Sequence, residues 1–478
     1  MASHSFARNY MILRPEEMSW WDPFSILCNR DFGHKKWVEF PVGKEENLTR
    51  RWLIFISLLG QKVLQIMAKP MLWFGSVFEM GLNILSSNRN IFVLLFRALQ
   101  NEVVVPERSS EMFLSVVGNL DRRVQLDKNI NHGDTRYYAM LCAMASKLSY
   151  ENKAVVESTV RDCWKMQLLG YYDFYNEFQR KCTTQGFMFH DKTADPDVIV
   201  IAFRGTELFD ADAWCTDIDI SWYELHSMGK IHGGFMKALG LLMDRGWPEE
   251  IEQDDDHPLA YYTIRENLRQ LLKTNNKTKF VLTGHSLGGA LAILFPAVLA
   301  LHKETFLLKR LEGVYTFGQP RVGDEEFKKF MEKQLHDNGI KYLRFVYGHD
   351  LIPRLPSDDS TFLFKHFGTC IYYNSSYEGK IVEEQPYEDY KSPSAVITRI
   401  LNAFWELIRS FIIPYNKGPD FSESWLLKLV RFAGLALPTL AAHNPHDYVN
   451  VTRLGSDDLY LKLQEQYSQN VSSIREST

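Results

Sequence analysis

Residues 280–301 read FVLTGHSLGGALAILFPAVLAL. The opening FVLT is an uncharged apolar run of the buried-strand type. From residue 289 onward the stretch is apolar and of helical length. Between the two lies Gly284-His285-Ser286-Leu287-Gly288, which fits G-x-S-x-G. In a strand–turn–helix setting that pattern is a nucleophile elbow. The turn forces a strained backbone on Ser286 so that its hydroxyl projects from the sheet, and the flanking glycines permit the close approach. The plainer reading is a glycine-rich turn with an N-capping serine. The strand before it and the helix after it favour the elbow.

Working outward, short strand-like runs alternate with helical ones. VIVIAF at 198–203, VYTF at 314–317 and YLRFVY at 342–347 join FVLT as strands. Residues 135–152, 289–302 and 325–336 read as helices. In the first of these, Ala139, Cys142, Ala143 and Ser146 form a small-residue face. Such alternation predicts an α/β fold with a mainly parallel central sheet.

A serine hydroxyl is a weak nucleophile and needs a base, which in turn needs an acid. In α/β-hydrolases the chain order is Ser, then Asp or Glu, then His. Asp350 follows the strand YLRFVY directly, which is where such an acid sits; Asp324, Asp358 and Asp359 lack that placement. For the base, His443 and His446 stand three apart in AAHNPHDYVN, and spacing alone does not separate them. No third ligand accompanies that pair, so a zinc site is a poor reading. An oxyanion needs preorganised N–H donors. One is the amide of Leu287, the residue after the nucleophile. The other is expected in FRGTE, 203–207, where Gly205 lets the backbone approach and Thr206 adds a hydroxyl.

The chain resembles the class 3 lipases. The matching pieces are LSYEN at 148–152, FRGTE at 203–207, HGGF at 232–235, TGHSLGGALA at 283–292, TFGQPRVGD at 316–324 and RFVYGHDLIPRLP at 344–356. Within that family it is most similar to the plant oil-body triacylglycerol lipases, which carry an apolar N-terminal extension and a histidine block ending in DYVN. The resemblance implies an α/β-hydrolase fold, Ser286 as nucleophile, Asp350 as acid and Thr206 as oxyanion residue. It favours His443 as base, because relatives place a tyrosine five residues on, and Tyr448 is that residue. It also implies a lid at 208–222, LFDADAWCTDIDISW, with Trp214 meeting lipid and Asp210, Asp212, Asp217 and Asp219 keeping the other face wet.

Composition frames this. The chain has 478 residues, 45% hydrophobic, which is too apolar for disorder. Its net charge of −5 argues against wrapping nucleic acid. Six scattered cysteines without CxxC spacing argue against a secreted disulfide scaffold or a metal site. The start shows no secretory leader.

The apolar residues concentrate in two blocks. Residues 52–96 are apolar but interrupted by Lys62, Lys69 and Glu79 and broken or kinked at Pro70. That predicts an amphipathic or hairpin-like element lying in an interface rather than crossing a bilayer, the plainer alternative being a buried pair of core helices. Residues 395–440 read as two amphipathic helices, each ending at a proline, Pro414 and Pro438.

The expected organisation has three parts. They are a helical N-terminal extension (1–134) with its anchor at about 52–96, a lipase domain (135–455) with an amphipathic insertion at about 357–440, and a C-terminal helix and tail (456–478). The expected activity is cofactor-free, metal-free hydrolysis of triacylglycerol and other long-chain acylglycerols. The expected place is a lipid droplet's cytosol-facing surface, or else the periphery of a membrane. The two apolar blocks imply either membrane docking or a homo-oligomer. The rival readings are a phospholipase A1 or galactolipase of the same family, and a non-catalytic lipase-like binding protein.

Overall fold

The structure is a computed structural model describing residues 7–28, 36–39, 51–241, 251, 256–356, 364–383, 392–465 and 467. Its strands are β1 (Ala7–Leu13), β2 (Val38–Glu39), β3 (Gln167–Asn176), β4 (Lys181–Asp191), β5 (Val198–Phe203), β6 (Trp222–Leu225), β7 (Gly229–His232), β8 (Lys279–His285), β9 (Leu311–Phe317), β10 (Lys341–Tyr347), β11 (Thr369–Tyr373) and β12 (Gly379–Val382). Eight of them form one sheet in the order β12-β11-β10-β9-β8-β5-β4-β3. From β5 through β8, β9 and β10 to β11 every pairing is parallel; β3, β4 and β12 add antiparallel edges. This is the α/β-hydrolase architecture, and β8, which carries the elbow, lies near its middle.

Side chains of the buried strands alternate between two cores, as a period of two requires. Ile199, Ile201 and Leu282 face the helices Ala260–Thr274, Leu287–Leu301 and Glu325–Asp337. Val198, Val200 and Val281 face the helices Tyr137–Leu148 and Pro445–Leu454. Both sides of β5 are therefore apolar, which is why VIVIAF carries no polar residue. The edge strands β3 and β4 were not legible in this way. On β3, the outermost strand, polar residues such as Asp173 are exposed, and β4 buries polar Thr184 and Gln185 among its apolar residues, so neither strand reads as a clean apolar run.

The three expected parts are not separately packed. β1 pairs antiparallel with β6, and a second sheet runs β2-β1-β6-β7. Residues 457–465 are helical, and Leu459, Tyr460 and Leu463 pack into the core behind the main sheet. The tail beyond residue 467, together with Asp358 and Asp359, lies outside the described residues.

The expected break at Pro70 does not occur. One 37-residue helix, Arg51–Ser87, runs through it, about 55 Å at 1.5 Å per residue. By length and composition this helix could cross a membrane. Its buried positions, Ile54, Leu58, Gln61, Ala68, Gly75 and Leu82, repeat at spacings of three, four and seven. They dock the helix lengthwise on the body of the protein. That continuous contact offsets the roughly 3 kcal/mol a mid-helix proline costs. Pro414 likewise sits inside a longer helix, Pro393–Lys417, and the next helix, Trp425–Ala433, ends before Pro438.

Candidate active site

Ser286 occupies the turn from β8 into the helix Leu287–Leu301 with φ 57° and ψ −129°. A serine is held in that left-handed geometry only where its surroundings over-determine it. A Cβ at Gly284 would fall 2.2 Å from the Gly288 carbonyl carbon. One at Gly288 would fall 2.2 Å from the Phe203 oxygen. Both glycines are therefore required by contact, and the Ser286 N–H donates to the Phe317 carbonyl at 2.9 Å.

His443 Nε2 lies 2.8 Å from Ser286 Oγ, and its Nδ1 lies 2.7 Å from Asp350 Oδ2. Asp350 is fully buried. Its Oδ2 also accepts from the Tyr448 hydroxyl at 2.5 Å, and its Oδ1 from the Ile352 N–H at 2.9 Å. Gly318, at φ +60°, leaves room here, since a Cβ would sit 2.9 Å from Asp350 Oδ2. His446 is elsewhere, buried with its Nδ1 3.0 Å from Asp121 and its Nε2 3.6 Å from Glu423. Asp324 caps the helix Glu325–Asp337 by accepting from the Phe327 N–H at 2.9 Å.

Leu287 is the first residue of its helix, where N–H groups have no intrahelical acceptor. Thr206 follows β5, and its hydroxyl donates to Asp217 Oδ2 at 2.7 Å. Gly205 packs so closely that a Cβ would lie 2.1 Å from the Tyr150 hydroxyl and 2.6 Å from the His285 oxygen. Tyr150 in turn hydrogen-bonds His285 Nδ1 at 2.8 Å. Burial and the neighbouring His443 hold the His285 imidazole well below its usual range. Burial pushes the Asp217 carboxyl up to about 7, against the opposing pull of Thr206 and His443.

The lipase (class 3) family profile matches residues 200–360. Over nearly its whole length the chain is 42% identical to triacylglycerol lipase OBL1 of Arabidopsis thaliana, covering 94% of this chain and 95% of that one. The chain belongs to the class 3 lipase family. The tobacco and castor (Ricinus communis) proteins of the same name are 39% and 35% identical over 93% and 94% of this lipase. Among solved structures, a Rhizomucor miehei triacylglyceride lipase aligns at 22% identity and a TM-score of 0.39, over 55% of this chain and 88% of its own. Family and fold make the protein a serine ester hydrolase.

The segment expected to be the lid of this lipase holds a helix, Ala211–Ile218. Its acidic residues do not form the wet face that the sequence suggests. Trp214 is half-buried, its indole N–H donating to the Leu208 carbonyl at 3.2 Å. Asp219 is buried and paired with Lys237 at 2.7 Å, and Asp217 turns inward to Thr206. The expected wet acidic face is thus corrected: two of its four carboxylates point into the protein. The reason is that a second helix covers this one. Ser57 donates to the Ile218 carbonyl at 2.7 Å, and Phe209 packs edge-on against Phe74 and Phe78 of Arg51–Ser87.

Behind His443 lies an ionic core that no sequence motif announced. Asp447 takes Arg431 at 2.9 Å and Arg409 at 3.1 Å, and Arg431 also takes Glu423 at 2.5 Å. Burial alone would raise the Asp447 carboxyl, but the two guanidiniums outweigh it and hold it below the usual range. Arg409 comes from Pro393–Lys417 and Arg431 from Trp425–Ala433, so both helices are bolted to Asp447 on the helix Pro445–Leu454 that follows His443.

Proposed function

We propose that this lipase hydrolyses triacylglycerols and related long-chain acylglycerol esters at the cytosol-facing surface of a lipid droplet. The observation that carries the reading is the hydrogen-bonded line from Ser286 through His443 to Asp350. In the proposed reaction Ser286 Oγ attacks the ester carbonyl while its proton passes to His443 Nε2. Asp350 holds the ring with Nδ1–H toward itself and stabilises the imidazolium. The tetrahedral oxyanion lies against the N–H of Leu287 and the Thr206 corner. His443 then protonates the departing glyceride alkoxide, leaving an acyl-Ser286 ester. Water then attacks the acyl carbonyl as it gives a proton to the same ring, and the ring returns that proton to Ser286 Oγ as the fatty acid leaves. Every proton has a protein carrier, and no cofactor takes part.

The substrate class draws on the names of the full-length plant relatives, which are triacylglycerol lipases. The droplet draws on the outer flank of residues 52–96, where Trp73, Phe92 and Phe96 are exposed. Purified protein assayed on emulsified triolein and on phosphatidylcholine tests both points. We expect triolein to be the faster substrate, and Ser286→Ala to lower kcat by ~10⁴-fold or more. Equal rates for variant and unsubstituted chain would refute the mechanism. A strong preference for phosphatidylcholine would instead assign a phospholipase A1.

A further inference from the structure

A helix on the surface of a water-soluble protein buries its apolar stripe and exposes its charges. The helix Pro393–Lys417 does the reverse. Its buried side includes Arg399, Glu406, Arg409 and Ser410. Its exposed side carries Ile397, Leu401, Phe404, Ile408, Phe411 and Tyr415, alternating at four and three residues. From Ile400 to Tyr415 every exposed residue is apolar or aromatic. The neighbouring helix Trp425–Ala433 repeats the pattern, with Arg431 buried and Trp425, Leu429 and Phe432 exposed.

This orientation is locked. Rotating the first helix to hide its apolar row would pull Arg409 from Asp447 and Glu406 from the Tyr347 hydroxyl, 2.8 Å away. Rotating the second would pull Arg431 from Glu423 and Asp447. Each buried ion pair broken in this way costs about 3–5 kcal/mol, which opposes the rotation. The outward apolar face is therefore a fixed feature of the fold.

We infer that this inverted helix pair is a second lipid-docking surface of the lipase, which seats it on the phospholipid-covered oil of a droplet. The inference rests on the reading of the active site as acting on lipid esters, and extends it to a surface outside residues 52–96. Four observations select a lipid surface as occupant. A protein partner expects a polar rim and about one hydrogen bond per 100–200 Å², and the row from Ile400 to Tyr415 presents four turns of hydrocarbon and aromatic rings. Trp405, Tyr415 and Trp425 are amphipathic aromatics of the kind that settle at headgroup depth. Lys428 lays its ammonium over the Phe411 ring, 4.6 Å from the centroid, as a lysine does when its stem lies on apolar surface and its charge reaches for water. The pair is also continuous with the long N-terminal helix: Leu82 packs with Leu120, Leu426 and Leu427, joined by Phe78 and Val430. Lys417 and Lys428 are the only basic residues from position 410 to 430, too few to select an anionic bilayer, so the droplet monolayer is the occupant. Docking here brings the catalytic site close to lipid, because Asn402 on the same helix contacts His349, the neighbour of Asp350.

The test uses full-length protein carrying Ser286→Ala, floated with artificial droplets of triolein under phosphatidylcholine. The triple substitution Leu401→Ser, Phe404→Ser, Ile408→Ser is compared with its parent. We expect the droplet-bound fraction to fall at least tenfold. In the catalytically competent background, hydrolysis of dissolved 4-nitrophenyl butyrate should stay within twofold, showing an intact fold. Unchanged flotation overturns the inference. So does a parent that sediments as a dimer without lipid and becomes a monomer on substitution, since a second copy is then the occupant. Equal binding of the parent to phosphatidylcholine bilayer vesicles overturns the commitment to droplets. The two readings fail separately. A parent that floats while the competent enzyme leaves acylglycerols uncleaved refutes the proposed substrate and leaves the docking face standing.

Discussion

Thr206 has one hydroxyl hydrogen, and it goes to Asp217 Oδ2. While Asp217 is ionised, that hydrogen is unavailable to an oxyanion. Burial pushes the Asp217 carboxyl up to about 7, with Asp210 adding to the rise and His443 opposing it. Below that pH the carboxyl carries a proton, can donate to Thr206, and frees the threonine hydrogen. Asp217→Asn donates at every pH, so we expect the ratio of kcat/KM at pH 9 to that at pH 6.5 to be higher in the variant. The stability sign follows from the same raised pKa: folding favours the protonated form, so this contribution is full below the unfolded carboxyl value and is lost as pH rises through about 7. Asp217→Asn should therefore raise Tm more at pH 8 than at pH 4, as calorimetry would read. Tyr448→Phe removes one donor to Asp350. A charge-assisted hydrogen bond contributes about 1.5 kcal/mol or more, so we expect kcat to fall about tenfold with KM unchanged. Ser286 and Asp350 were legible because their local signals, a glycine-flanked turn and a strand end, are set by neighbours in the chain. Asp217 was not, because which side of its helix faces inward is decided by the distant residues 51–87.

At the scale of elements, the sequence marked the buried parallel strands and missed the long antiparallel strands β3 and β4; half-exposed positions on β3 and the buried polar Thr184 and Gln185 on β4 dilute the apolar signal. It read 395–440 as amphipathic helices, and the helices are there. It did not show which face would be buried, because periodicity locates a stripe without saying what the stripe meets. The ionic core supplies that answer. Arg431 is 1% exposed between Glu423, Asp447 and Glu406. Arg431→Met leaves three buried carboxylates short of a partner, and breaking such a network costs about 3–5 kcal/mol. We expect a fall in unfolding free energy of about that size by urea titration. His443 should also lose its fixed position, so kcat should drop even at temperatures where the variant remains folded.

At the scale of the molecule, the long N-terminal helix is both an outward apolar flank and a cover for the expected lid. Ile66, Trp73 and Val77 are exposed on it, whereas Ser57 and Gly75 face the Ala211–Ile218 region. Ile66→Ser, Trp73→Ser, Val77→Ser should weaken droplet association in a fluorescent fusion while leaving cleavage of dissolved esters unchanged. Deleting residues 51–87 should alter both, because it also uncovers the segment above Thr206. The N-terminal pairing has a further consequence in time. Asn9 bonds to Glu224, 215 positions later, and Ser57 to Ile218, 161 positions later. At about 5–20 residues per second on the ribosome, the helix emerges roughly 8–30 seconds before its intramolecular acceptor exists. Throughout that interval the nascent chain offers its hydrophobic leading helix to the surroundings with no catalytic machinery yet made. Under the proposed droplet docking, the segment that would set this enzyme's address is made before the residues that carry its chemistry.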